Sequence, residues 1–283
     1  MEKITNNYML GRDFKMIKRF FDDHIKEFIS LDGILKMSLA VFFITLVLYF
    51  NYSNNSNSES SSAFTGITTS ISNTKKNNTI VWQVPVKNKK VIAFTFDDGP
   101  TPGYTDKILK ILRKYNVKAT FFVIGSKAQK YPSLVRREAS YGHEIANHTY
   151  THPKILKLSF KAYKTEMKKT QNVVKKITGS TPVLMRPPYG DLSESATRYT
   201  QKLGFKMILW SWDQDTRDWS HPGVNTIAKK VLNNASSGDI VLFHDNNTTM
   251  GQTASALETI IPELKRRGYS FVTVSELIKL KGQ

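Results

Sequence analysis

From Lys89 to the C-terminus, short apolar runs alternate with segments of helical periodicity. The runs are Val91–Phe96, Ala119–Gly125, His143–Asn147, Val183–Arg186, Lys206–Trp210, Asp239–His244 and Ser270–Val274. Between them, Asp106–Tyr115, Phe160–Ile177 and Ala254–Arg267 repeat apolar residues three and four positions apart, the spacing of one helix face. Seven strands alternating with helices predict an α/β fold around a parallel sheet, open or closed, with a barrel of fewer than eight strands preferred. No internal repeat is present at sequence level.

Upstream the pattern changes twice. Residues 33–52 form an apolar stretch interrupted only by Lys36 and running MSLAVFFITLVLYFNY from Met37 to Tyr52. This approaches the ~20 residues that cross a bilayer, with Lys36 able to snorkel to the interface. A cleaved signal peptide is the rival reading; it fits less well, because 36 residues precede the segment and no small-residue cleavage site follows closely. Lys18, Arg19, Lys26 and Lys36 lie on its N-terminal side, and no Lys or Arg follows until Lys75. That asymmetry predicts a single-pass anchor with residues 1–32 in the cytoplasm and the large domain outside. Within 1–32, Phe14, Ile17, Phe21, Ile25 and Phe28 have helical spacing, and either lie on the inner membrane surface or form a short helix without function. Residues 53–88 are rich in Ser, Asn and Thr and are assigned to a flexible linker, about 35 residues with an r.m.s. span of roughly 30–35 Å.

The chain has no cysteine, which excludes disulfides, thiol catalysis and cysteine metal sites. An exported domain of 89–283 must therefore rest on its core, and 40% apolar content allows that. The net charge is +18, of which +15 belongs to residues 89–283. Such a balance implies a polyanionic setting, whether nucleic acid, anionic lipid or an acidic wall polymer. Export topology argues against nucleic acid.

The chemically useful side chains collect at the C-terminal ends of the predicted strands, where α/β barrels place catalytic groups. Asp97 and Asp98 follow the first strand, His148 and His152 the third, Arg186 closes the fourth, Asp215 and Asp218 follow the fifth, and His244 ends the sixth. In VIAFTFDDGP adjacent carboxylates diverge, so one can bind a cation while the other meets a different target. In HTYTH the two imidazoles are four apart, the spacing that faces both one way on a helical turn. Two His and one Asp make a ligand set that Zn²⁺ accepts. Arg186, ahead of two prolines, could hold a carboxylate by a bidentate pair or serve as a surface salt-bridge partner, and a neighbouring backbone N–H could face an oxyanion. Trp212 and Trp219 beside carboxylates suit sugar rings, although tryptophan in plain packing is common. His244 is an acid–base candidate because its ordinary pKa is near neutral.

TFDDGP, HTYTH, RPPYG, DTRDW and LFH, in this order over about residues 89–283, resemble the motifs of polysaccharide deacetylases with the NodB-homology domain, carbohydrate esterase family four. The resemblance implies a distorted (β/α)7 barrel that hydrolyses the N-acetyl amide of an N-acetylglucosamine polymer. It implies Asp98, His148 and His152 as ligands of zinc or cobalt, and Asp97 as general base oriented by Arg186. It further implies His244 as general acid tuned by Asp218, the Tyr189 N–H at the oxyanion, and Trp219 and Leu242 lining the acetyl pocket. Peptidoglycan, with its associated anionic polymers, is the expected substrate given the anchor and the basic domain. Chitin oligomers, acetylated xylan and a catalytically silent wall-glycan binder are the alternatives.

Overall fold

The computed structural model describes residues 80–282. The expected cytoplasmic segment, the anchor at 33–52 and the linker as far as residue 79 lie outside the described residues. Among the described residues no helix is long and apolar enough to cross a membrane.

All seven expected runs contain strands. These are β2 (Val91–Asp97), β3 (Thr120–Val123), β4 (Glu144–Asn147), β5 (Leu184–Met185), β6 (Lys206–Ile208), β7 (Asp239–His244) and β8 (Ser270–Phe271). A further strand, β1 (Ile80–Val81), falls within the stretch assigned to the linker. Just after it, Val84 and Val86 are buried in the core, so the packed domain begins earlier than Lys89. Ile80, Trp82, Val84 and Val86 do alternate at the two-residue period of a strand, but Pro85 among them and the Ser/Asn/Thr-rich stretch before them mask it. The sheet is parallel in the order β1-β6-β5-β4-β3-β2-β7, with β8 beside β2. Beyond β6 the chain turns onto β7: Ser211 N–H donates to Ile240 O at 3.0 Å, and Leu242 N–H to Gln214 O at 3.0 Å. The strands thus run round toward a closed ring.

Helices cover the outside. The three expected ones are α1 (Tyr104–Lys114), α4 (Phe160–Thr178) and α7 (Gln252–Arg266). The others are α2 (Gly125–Lys130), α3 (Pro132–Ser140), α5 (Glu194–Lys202), α6 (Val224–Asn234) and α8 (Val274–Lys279). In α4, Ser159 caps the N-terminus by accepting from Ala162 N–H, and Gly179 ends the helix in a left-handed turn at φ 77°.

Strand parity decides what faces inward. In β2, Ile92, Phe94 and Phe96 pack outward with Ile108 and Leu112 of α1 and Leu257 and Ile261 of α7. Val91 and Ala93 pack inward with Phe122, Ala146, Leu184, Ile208 and Ile240 from the other strands. Both faces are covered, which is why β2 reads as a continuous apolar run. Continuing the inward set by twos leads to Asp97 from Ala93, His148 from Ala146, Arg186 from Leu184, Trp210 from Ile208 and His244 from Ile240. One parity therefore delivers five groups to the C-terminal mouth of the ring.

Candidate active site

The mouth holds a cleft of about 450 Å³. Asp97, Asp98, His148, His152 and His244 line it, with Tyr189, Trp219 and Leu242 around them. Arg186 and Asp218 lie fully buried beneath, so all ten candidate residues come together.

Asp97 and His244 are register partners on β2 and β7 and stand side by side. Asp97 accepts from Arg186 Nη1 at 2.8 Å. The same nitrogen donates to Thr95 Oγ1 at 2.7 Å, while Nη2 donates to Leu209 O at 2.8 Å. The guanidinium lies 4.2 Å from the centre of the Phe122 ring. Burial lowers the Arg186 pKa, and the carboxylate of Asp97 works against that. Arg186 therefore fixes Asp97 from below. Arg186 does hold a carboxylate and is no surface residue, but through one nitrogen rather than the expected bidentate pair, because Nη2 and Nε donate to the Leu209 and Ile208 carbonyls.

Asp98 turns differently from its neighbour because its backbone is left-handed, φ 74°. Its Oδ1 lies 3.3 Å from His148 Nε2 and 3.1 Å from His152 Nε2. Asp98 Oδ1 is nonetheless a buried oxygen without a hydrogen bond. His148 contributes to this, because its Nδ1–H donates to Arg186 O at 2.8 Å. In the neutral ring Nε2 then turns a lone pair, not a proton, toward the carboxylate. The three ligand atoms lie within 4.8 Å of one another. Such a convergence is relieved either by a proton or by a cation. Burial disfavours charge on His148, yet Asp97 and Asp98 outweigh it and raise its pKa. Burial would raise the Asp98 carboxyl, but the two imidazoles drive it far below the carboxylate range. One carboxylate and two imidazoles fit a divalent cation of the zinc type, so this is a possible Asp–His–His metal site.

The histidine pair is not on a helical turn, contrary to the expectation from its spacing. Asn147 Oδ1 accepts from Thr149 N–H at 2.9 Å, and Thr149 is left-handed at φ 64°. Thr149 Oγ1 then accepts from His152 N–H at 3.2 Å, with His152 at φ 60°. Glu166 on α4 accepts from Tyr150 and Thr151 N–H at 2.8 and 2.7 Å. A tight, pinned loop brings the rings together, their centroids 4.9 Å apart.

His244 pairs with Asp218 in the opposite manner. Its Nδ1–H donates to Asp218 Oδ1 at 2.7 Å, and its backbone N–H to Oδ2 at 2.8 Å. Thr253 Oγ1–H donates to Oδ2 at 2.5 Å. Burial opposes charge on the imidazole, but Asp218, with Asp97 and Asp98 behind it, pushes its pKa up to about 9. Tyr189 sits in a short 3-10 turn, Pro188–Gly190, with φ 59°, and its ring meets that of His152 edge to face at 4.7 Å.

Three contributors escaped the sequence reading. Asn246 donates Nδ2–H to Asp98 Oδ2 at 3.0 Å, and its only sequence signal is a place two residues after His244. Trp210 lines the cleft and was findable by strand parity from Ile208. Asp245 is turned away from the cleft, accepting from Thr105 Oγ1 at 2.6 Å. Its carboxylate packs so tightly on the TFDDGP turn that a Cβ at Gly99 would lie 2.0 Å from Oδ2. Trp212 is the converse: it does not line the cleft beside Trp219, and is 84% exposed.

A parallel-sheet fold with an Asp–His–His cluster and the Arg186–Asp97 and His244–Asp218 pairs at the sheet's C-terminal mouth has the layout of an α/β enzyme. The family pattern described as polysaccharide deacetylase matches residues 85–208. A peptidoglycan-N-acetylglucosamine deacetylase of Bacillus cereus is 45% identical over 202 residues, 71% of this chain and 94% of that protein. A crystal structure of a peptidoglycan N-acetylglucosamine deacetylase superposes with a TM-score of 0.69 at 36% identity, covering 72% of this chain and 94% of that one. A pseudoenzyme of carbohydrate esterase family four from Bacillus anthracis has a TM-score of 0.66 at 28% identity, covering 72% of this chain and 70% of that one. The chain belongs to the polysaccharide deacetylase family, carbohydrate esterase family four, and is a polysaccharide deacetylase.

Proposed function

We propose that the substrate is peptidoglycan, that its N-acetylglucosamine residues lose their acetyl groups, and that one divalent cation, zinc before cobalt, is required. One observation supports this above the rest: Asp97 and His244 are paired across neighbouring strands in the same cleft as the Asp98–His148–His152 cluster. The names of the relatives favour peptidoglycan over chitin oligomers and acetylated xylan. We read the seven strands from β1 round to β7, with β8 appended beside β2, as the distorted (β/α)7 barrel expected from the motifs.

Asp98, His148 and His152 would hold the cation. A cation there would supply Lewis-acid polarisation of the acetyl carbonyl and lower the pKa of water. Asp97, held by Arg186, takes the proton from that water as oxygen adds to the carbonyl carbon. The backbone N–H of Tyr189 faces the developing oxyanion, and Trp219 with Leu242 encloses the acetyl methyl. When the C–N bond breaks, the departing nitrogen needs a proton. His244 provides it from the imidazolium that Asp218 stabilises, leaving acetate and a free amine.

The domain order carries over as part of the proposal: 1–32 cytoplasmic, 33–52 a retained anchor, then a tether, then the catalytic domain outside beside anionic wall polymers. Fractionation with external protease checks it, and a mature N-terminus after Tyr52 would show a cleaved signal instead. The activity is tested by acetate release from peptidoglycan, chitin oligomers and acetylated xylan, side by side, after zinc loading. Release fastest from peptidoglycan is the expected result. No release from any of the three would leave a silent glycan-binding protein.

A further inference from the structure

A second groove, of about 750 Å³, adjoins the cleft and shares Trp210 and Asp215 with it. Trp82, Trp212, Arg217 and Lys230 also line it. Trp212 at 84% and Trp82 at 39% exposure leave indole surface in water that folding does not use. Trp82 comes from the segment after β1, upstream of the residues that the family pattern matches. Arg217 extends from a fixed turn: its N–H donates to Asp215 Oδ1 at 3.1 Å and its carbonyl accepts from Ser220 Oγ–H at 2.8 Å. Among the described residues, neither Arg217 nor Lys230 forms an ion pair.

We propose that this groove binds the stretch of glycan next to the reacting residue, with Trp212 and Trp82 against pyranose faces and Arg217 and Lys230 meeting a carboxylate-bearing sugar. Three features converge on that occupant. Indole faces complement the C–H faces of sugar rings. Two cations without protein partners call for an anionic group. Continuity through Trp210 and Asp215 makes the occupant part of the chain whose other unit sits in the cleft. The proposal rests on reading the cleft as the deacetylase centre.

The test uses the full-length chain and soluble, acidic peptidoglycan glycan strands, with neutral chitin oligomers of equal length for comparison. Binding is followed by intrinsic tryptophan fluorescence, which does not depend on turnover, and acetate release is measured in parallel. Trp212→Ala removes an exposed ring and no core contact; it should weaken Kd for both glycans roughly five- to tenfold, raising KM rather than lowering kcat. The double variant Arg217→Gln/Lys230→Gln should weaken binding of the acidic strands alone. Unchanged Kd for the acidic strands in both variants overturns the groove, whatever happens to acetate. Equal weakening of acidic and neutral glycans by the double variant overturns the carboxylate contact. Groove-dependent binding without acetate release from the wild type overturns the deacetylase reading and leaves the groove as a binding site.

Discussion

The cleft contains two carboxylate–imidazole pairings built from the same side chains with opposite results. At Asp98 and His148, the imidazole donates its Nδ1–H to the Arg186 carbonyl, so in the neutral ring Nε2 meets the carboxylate without a proton. At Asp218 and His244, Nδ1–H points straight at the carboxylate, 2.7 Å away. The first arrangement wants a positive charge from outside. The second stores a proton on the ring. What separates them is the partner of one nitrogen, the Arg186 carbonyl after β5 in one case and Asp218 in a 3-10 turn in the other, and not the residue type.

The comparison breaks most visibly if a ligand is removed from the first pair. His148→Ala should abolish most bound zinc, by elemental analysis of the zinc-loaded protein, and take acetate release with it. Full activity in the demetallated protein would end the cation-binding reading. Next in size, Asp97→Asn should lower kcat by roughly 10²–10⁴ while zinc is retained, whereas Asp98→Asn should lose zinc. Equal zinc loss in both would mean that the adjacent carboxylates do not have separate roles. Asn246→Ala removes the hydrogen bond on Asp98 Oδ2, and zinc affinity should fall about 10–100-fold in a competition titration.

The smallest effect sharpens the second pair. His244 titrates near 9 against an ordinary 6.5, so its acid form persists below about 9 and is lost as pH rises through it. Activity should fall on that alkaline side, and a cation in the cleft moves the fall to lower pH by like-charge repulsion. His244→Ala should erase this limb. Asp218→Asn, which removes the charge favouring imidazolium, should shift it to lower pH. The same sign holds for stability: the contribution of the raised pKa is complete below 6.5 and disappears as pH climbs through 9. An alkaline limb unchanged in His244→Ala would identify another group as the acid.

Much of this was legible before any coordinates. The seven apolar runs all hold strands because a doubly covered sheet leaves a continuous hydrophobic signature. The polar residues at their ends were conspicuous because they interrupt it. The loop at HTYTH was misread as helical because four-residue spacing is shared by a helix and by a turn with two left-handed residues, and only Asn147 and Glu166 distinguish them. Asn246 was invisible because it reaches Asp98 across 148 residues of sequence, and no local pattern encodes that distance. Trp212 and Trp219 looked alike in WDQDTRDW; the turn at Arg217, φ 49°, sends them to different grooves.

Strand β2 has a further consequence. It pairs with β7 from Ile92 to Asp97, with β3 at its upper end and with β8 at its lower end, and every one of its seven residues is buried. Its amides can exchange with solvent only when the domain as a whole opens, whereas loop amides exchange through local fluctuation. Asp97 therefore has no private route to disorder. The Asp97 carboxylate, held by Arg186, is in place with the fold itself, and no ligand is needed to assemble it. Heat should erase the site and the fold in a single transition.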